Sequence, residues 1–169
     1  ESVLTARRSC VSYTTTQYWL TIPEVLSDTK EHLPTERLHE GKQRNLSVYG
    51  WVRGSPWIEY YIVENYATFN PISQPGVTYI GSITVDGSPY DLGFSTYVGT
   101  PRTPTSALGP VTIRRLWSVR QLKRTAGTVT VAAHWSAWAS AGPIGTSHEW
   151  EIVSCESINI DGKCDVTVA

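Results

Sequence analysis

Two glutamates stand inside runs that read as β-strands, each with aromatic company. Glu59 lies in Trp57 to Val63 (WIEYYIV), and Glu156 ends the run from Ser147 to Glu156 (SHEWEIVSCE). Side chains alternate between the two faces of a strand. Glu59, Tyr61 and Val63 therefore share one face, and Tyr60, Ile62 and Glu64 share the other. In the later run Trp150, Ile152, Ser154 and Glu156 share a face. Two carboxyls held close together can divide the work of a displacement: one attacks as nucleophile, and the other gives and then takes back a proton. The proton donor must keep its proton near neutral pH, so burial and the neighbouring charge have to raise its pKa. Two adjacent antiparallel strands would supply that spacing. A lone Glu in an apolar strand more often faces solvent or forms a salt bridge.

The strand signals around these residues are dense from Leu46 onward. Val77 to Val85 (VTYIGSITV) runs into Asp86-Gly87 and then SPYDLGF, the pattern of a tight hairpin. Val111 to Val119, Gly127 to Val131, Ser147 to Glu156 and Ile158 to Val168 continue the series, with Asp161-Gly162 as a second candidate turn. Only Val131 to Ser140 (VAAHWSAWAS) reads as helix, stopped by Gly142-Pro143. His134 and Trp138, four apart, face the same side and suit helix-to-sheet packing. Before residue 45 the pattern changes. Nine of the 21 residues from 24 to 44 are charged, against 17% overall, which reads as an exposed loop or weak helix broken at Pro34. Val11 to Thr16 and Tyr18 to Ile22 read as short strands. Many closely spaced strands with one short helix imply a sandwich or jelly roll.

The 169 residues suffice for one domain with a sizeable core. A formal net charge of -1, from 14 basic and 15 acidic residues, argues against an electrostatic nucleic-acid binder. No stretch approaches the ~18 apolar residues of a membrane helix. Seven Trp and nine Tyr stand against two Phe. Their flat faces with a polar edge stack on sugar rings; the plainer use is to fill a β core. The chain lacks Met and starts at Glu1, as a processed, trimmed or fragmentary chain would. Cys10, Cys155 and Cys164 allow at most one intrachain disulfide. A two-residue turn at Asp161-Gly162 would set Asn159 opposite Cys164 and Cys155 opposite Val168, which disfavours a Cys155–Cys164 bridge; a longer turn would permit one. No Cys/His spacing suggests zinc. Asn45-Leu46-Ser47 is a glycosylation sequon.

Several blocks are more specific. Tyr49-Gly50-Trp51 precedes Glu59-Tyr60-Tyr61-Ile62-Val63-Glu64-Asn65-Tyr66 and Thr68-Phe69-Asn70-Pro71. Then come Leu116-Trp117-Ser118-Val119-Arg120, the run from His134 to Ser140, and Glu151-Ile152-Val153-Ser154-Cys155-Glu156. In this order they resemble glycoside hydrolase family 11, the endo-β-1,4-xylanases, over about residues 45–169. The resemblance implies an all-β jelly roll of two curved antiparallel sheets with one α-helix packed on the back, here a single domain over 1–169 with an atypical segment at 1–44. It implies Glu59 as nucleophile and Glu156 as acid/base, with Tyr49 and Tyr61 as cleft tyrosines beside the nucleophile. Trp150 falls where the family places a sugar-stacking Tyr, and Phe69 at another cleft aromatic position. An Arg of the family that follows its Tyr-Asp dipeptide falls on Tyr97 by direct counting from Tyr90-Asp91, or on Arg102 if the loop carries an insertion. Arg115 stands where the family has Gln, placed either to obstruct the sugar or to pair with Glu59. Thr100 to Pro110 matches the mobile thumb, and Trp19 is the one candidate for the family's N-terminal stacking Trp.

The function implied is endo-acting hydrolysis of xylan with retention, on xylan or xylo-oligosaccharides. No metal or organic cofactor, nucleic acid or membrane is implied, and a secreted, extracellular monomer is expected. The alternative is a catalytically impaired relative that binds xylan or is recognised by a protein partner. An unrelated jelly-roll lectin would leave both glutamates and both central motif blocks unexplained.

Overall fold

The structure is a computed structural model that describes residues 4–6, 9–10, 30–33, 44–101, 109–145, 147–157, 162–163 and 166–168, with side chains described over 45–101, 109–145 and 147–156. The strands are β1 (Leu4–Ala6), β2 (Ser9–Cys10), β3 (Lys30–Leu33), β4 (Arg44–Arg53), β5 (Trp57–Tyr66) and β6 (Thr78–Val85). They continue as β7 (Ser88–Gly99), β8 (Val111–Arg120), β9 (Gly127–Thr130), β10 (Ser147–Ser157), β11 (Gly162–Lys163) and β12 (Val166–Val168). One helix, α1 (Val131–Trp138), lies between β9 and β10. Six strands form one sheet in the order β10-β4-β5-β8-β7-β6, and three two-stranded pairs join β1 to β12, β2 to β11 and β3 to β9. The described residues are therefore mostly β with one short α-helix, as expected. The sheet is antiparallel except where β5 lies parallel to β8.

Both faces of this sheet are apolar, because its central strands carry large side chains at consecutive positions. Leu46, Val48, Ile58, Tyr60, Ile62, Leu92, Leu116 and Val153 point to one face, where Val131 and Trp138 of α1 cover them. Tyr49, Trp51, Trp57, Tyr61, Ile113, Trp117, Trp150 and Ile152 point to the other. The alternation read from β5 and β10 thus holds. His134 is fully buried under the sheet, its Nδ1 2.8 Å from the Ser118 hydroxyl, and the Trp138 indole N–H donates to the Trp117 carbonyl at 3.0 Å. These contacts make both residues packing elements.

On the helix face Glu64 is fully buried. It accepts from the Tyr90 hydroxyl at 2.7 Å and from Arg124 Nε at 2.5 Å, with Arg120 3.8 Å away. Burial pushes its carboxyl up, against the pull of Tyr90 and of the two arginines. A register shift between Leu46 and Ser47 leaves Glu64 unmatched, since Leu46 faces Asn65 and Ser47 faces Val63.

Two local expectations need correction. Lys30–Leu33, read as loop or weak helix, is a strand that pairs with β9; the partner supplies hydrogen bonds that charge content does not reveal. The described tail strands do not pair with β10. Val168 instead faces Leu4 and Gly162 faces Cys10. Asn45, in the sequon, sits in β4 between two partner strands. The strands expected within 11–22, the thumb tip and Trp19 lie outside the described residues. No helix among the described residues is long and apolar enough to cross a membrane.

Candidate active site

Register brings the candidate residues together. Across β10, β4, β5, β8 and β7, the residues Trp150, Trp51, Glu59, Arg115 and Ser95 lie level. One step along, Ile152, Tyr49, Tyr61, Trp117 and Gly93 form the next row. Alternation turns the side chains of both rows to the face opposite α1. Tyr49 and Tyr61 stack with centroids 4.4 Å apart, and Tyr61 and Trp117 stack at 4.5 Å. Trp150 meets Tyr49 edge-on at 5.0 Å. Each such pair contributes about 0.5–1.5 kcal/mol beyond its buried area. The row passes from Gly93, where a Cβ would lie 2.9 Å from Val77 and 3.0 Å from Ile72, to Tyr79 on β6.

Glu59 sits on this aromatic floor with only 3% of its surface exposed. Its Oε1 accepts from Tyr49 at 2.9 Å and Tyr61 at 3.2 Å, and its Oε2 accepts from Tyr97 at 2.7 Å and Arg115 Nε at 2.6 Å. Four donors thus meet the roughly four acceptor sites of an ionised carboxylate. The Arg115 side chain keeps 30% exposure. Water still serves the guanidinium, so the desolvation cost falls mainly on Glu59, whose hydrogen bonds offset it. Burial alone would lower the Arg115 pKa, but the charge and hydrogen bond of Glu59 win and hold it above the usual range. The Trp51 indole N–H donates to the Tyr49 hydroxyl at 2.8 Å and fixes that phenol.

The phenols report what surrounds them. Burial and then the Glu59 charge raise Tyr49, and the same causes push Tyr97 up to about 12. Burial is also the first cause for Tyr61, followed by the charge of Glu59, the neighbouring Tyr49 and the charge of Glu156. The Tyr61 hydroxyl, which donates to Glu59, therefore lies within electrostatic reach of both candidate carboxylates. Glu156 is partly buried near the end of β10, opposite Asn45. The preceding Cys155 is disulfide-bonded and packs against the helix-face core; the side chains of Cys10 and Cys164 are outside the described residues.

Of the residues picked out by sequence, Tyr49, Tyr61, Trp150 and Arg115 meet around Glu59. Phe69 lies beyond β5, 38% exposed. Arg102 is outside the described residues. Arg115 pairs with Glu59, one of the two placements expected for it. Tyr97, which direct counting sets at a family Arg position, binds Glu59 directly. Alternation in a strand from Ser88 puts Ser95 and Tyr97 on one face, but only the strand order brings that face to Glu59. Among the described residues no group of three or more His, Cys, Asp and Glu could hold a metal ion.

The family model described as glycosyl hydrolases family 11 matches residues 35–167 of this chain. The chain belongs to this family. It is similar to an ethylene-inducing xylanase of Penicillium digitatum, with 44% identity over 124 residues that cover 73% of this chain and 54% of that protein. Endo-1,4-beta-xylanase A of Aureobasidium pullulans is 42% identical over 126 residues, again 73% of this chain and 54% of the relative. Endo-1,4-beta-xylanase B of Penicillium oxalicum is 44% identical over 121 residues, 72% of this chain and 37% of the relative. The chain thus spans about half the length, or less, of these relatives.

Proposed function

We propose that this chain is an endo-acting β-1,4-xylanase that works with retention, with Glu59 as nucleophile and Glu156 as acid/base. A Glu59 oxygen attacks the anomeric carbon while Glu156 gives its proton to the departing sugar oxygen, and the glycosidic bond breaks. Glu156, now a carboxylate, takes a proton from water. The water oxygen displaces Glu59 from the same carbon, and both carboxyls return to their starting states. Tyr49 and Tyr61 orient the nucleophile. Trp150, Phe69, Arg115 and Arg102 contact the sugars in this reading. The substrate is xylan or its oligosaccharides, a cell-wall polymer outside the cell, so the chain acts as a secreted monomer.

The supporting observation is Tyr61, which donates to Glu59 and also feels the charge of Glu156. The test is release of reducing ends from xylan. The unaltered protein should release them with a bell-shaped pH profile. Glu156→Gln should lower turnover about 10²–10⁴-fold, and Glu59→Gln at least as much. Unchanged turnover in both variants overturns the assignment; xylan binding without turnover in the unaltered chain favours the impaired relative.

A further inference from the structure

We propose that Arg115 and Tyr97 form a latch on Glu59 that must open before Glu59 can attack, and that this latch sets the rate of the first chemical step. The proposal rests on Glu59 being the nucleophile.

The two oxygens of Glu59 are held differently. Oε1 is bound by Tyr49 and Tyr61, which are 1% and 7% exposed and stacked on each other. Tyr49 is pinned further by the Trp51 indole. Neither phenol can withdraw without breaking the aromatic row. Oε2 is bound by Tyr97 and Arg115, and Arg115 Nη2 donates to the Tyr97 hydroxyl at 3.2 Å, closing a three-membered ring of contacts. This is the side open to solvent, since the Arg115 side chain is 30% exposed.

The count of donors makes the contact consequential. A carboxylate offers about four acceptor sites, and all four are in use. An oxygen engaged by a cation and a phenol has little electron density to share with an electrophilic carbon. The anomeric carbon can be reached only if Oε2 sheds at least one donor. A neutral xylose ring brings no charge to take over from Arg115, so binding energy must be spent on opening the pair. Arg115 has somewhere to go: its guanidinium already lies 4.8 Å from the Tyr97 ring centre and 5.7 Å from that of Trp117. The register supports the assignment. Because β5 and β8 are parallel and Glu59 faces Arg115 directly, the cation cannot be a distant surface charge that happens to reach in.

The experiment uses a fluorinated xylobioside with a dinitrophenolate leaving group. That leaving group needs no proton, so the labelling rate reads Glu59 alone, and peptide mass spectrometry locates the label. Arg115→Gln keeps a neutral donor and removes the cation; labelling at Glu59 should accelerate about tenfold. Tyr97→Phe keeps the ring and removes one donor, and should accelerate labelling about threefold. On xylo-oligosaccharides Arg115→Gln should raise kcat, because the latch opposes attack. A residue that merely packs would lower the thermal midpoint without speeding labelling. Labelling of Glu59 at an unchanged or slower rate in Arg115→Gln overturns the latch and leaves Glu59 as nucleophile. No label on Glu59 in the parent or either variant removes both.

Discussion

The two phenols on Glu59 Oε1 are unequal, and their difference is measurable. Tyr49 donates at 2.9 Å and accepts from the buried Trp51 indole, whereas Tyr61 donates at 3.2 Å. Tyr49→Phe removes a donor from a buried carboxylate and strands a buried N–H; it should cost about 2–3 kcal/mol. Tyr61→Phe removes only the longer bond and keeps the ring between Tyr49 and Trp117, at a cost of about 1 kcal/mol. Urea denaturation with unchanged slopes would give both values, and the reverse order would mean that the Trp51 contact contributes nothing. At this scale the sequence was informative about Glu59 and its own-strand neighbour Tyr61, since alternation along one strand needs no tertiary knowledge. It was weaker on Tyr97 and Arg115. Whether a side chain on another strand meets Glu59 depends on strand order, and a parallel neighbour fifty-six positions away leaves no local signal.

Strand contacts explain two glycines of opposite character. Tyr60, Gly50 and Glu151 lie level on β5, β4 and β10, and the Tyr60 hydroxyl crosses the glycine to donate to Glu151 at 2.5 Å. A Cβ at Gly50 would sit 2.3 Å from that hydroxyl and 2.6 Å from the Trp150 carbonyl. The carbonyl belongs to a paired strand and cannot retreat. Gly50→Ala should therefore cost about 2–4 kcal/mol, from overpacking and a lost buried hydrogen bond. Gly87 has open space around it but a φ of +73°, beside Asp86 at +48°, in the β6–β7 turn. Gly87→Ala should cost only about 1 kcal/mol, from backbone strain. Chemical denaturation of the two variants should preserve that ranking; equal costs would mean that β4 can slide away from β10. The hairpin was legible because Asp-Gly between two strand-like runs demands the positive φ values found there. Lys30–Leu33 was not legible as a strand, and the tail read as strand without its partners. Each is short, and its pairing is decided by a partner far along the chain.

Between the sheet and α1 the molecule carries a group whose charge opposes folding. His134 is fully buried. Burial lowers its pKa to about 4, with Asp86 pulling upward and Arg124 and Arg120 pushing further down. The unfolded chain takes up this proton near the ordinary histidine value of about 6.5. Between those two values the unfolded state binds more protons than the folded one, so stability falls as pH falls. The contribution is fully present above about 6.5 and is lost as pH approaches about 4. From pH 7 to pH 5 the loss from this one group should be about 2 kcal/mol. Glu64, raised by burial, acts with the opposite sign, because its folded carboxyl takes a proton more readily than the unfolded one. The two are separated by difference: His134→Gln removes the first and leaves the second. Unfolding free energies of parent and variant at both pH values should show the parent losing about 2 kcal/mol more than the variant. Equal losses would mean that His134 is protonated in place, and the Ser118 hydroxyl beside its Nδ1 would then have to accept from a cation that the sheet and helix otherwise exclude from water.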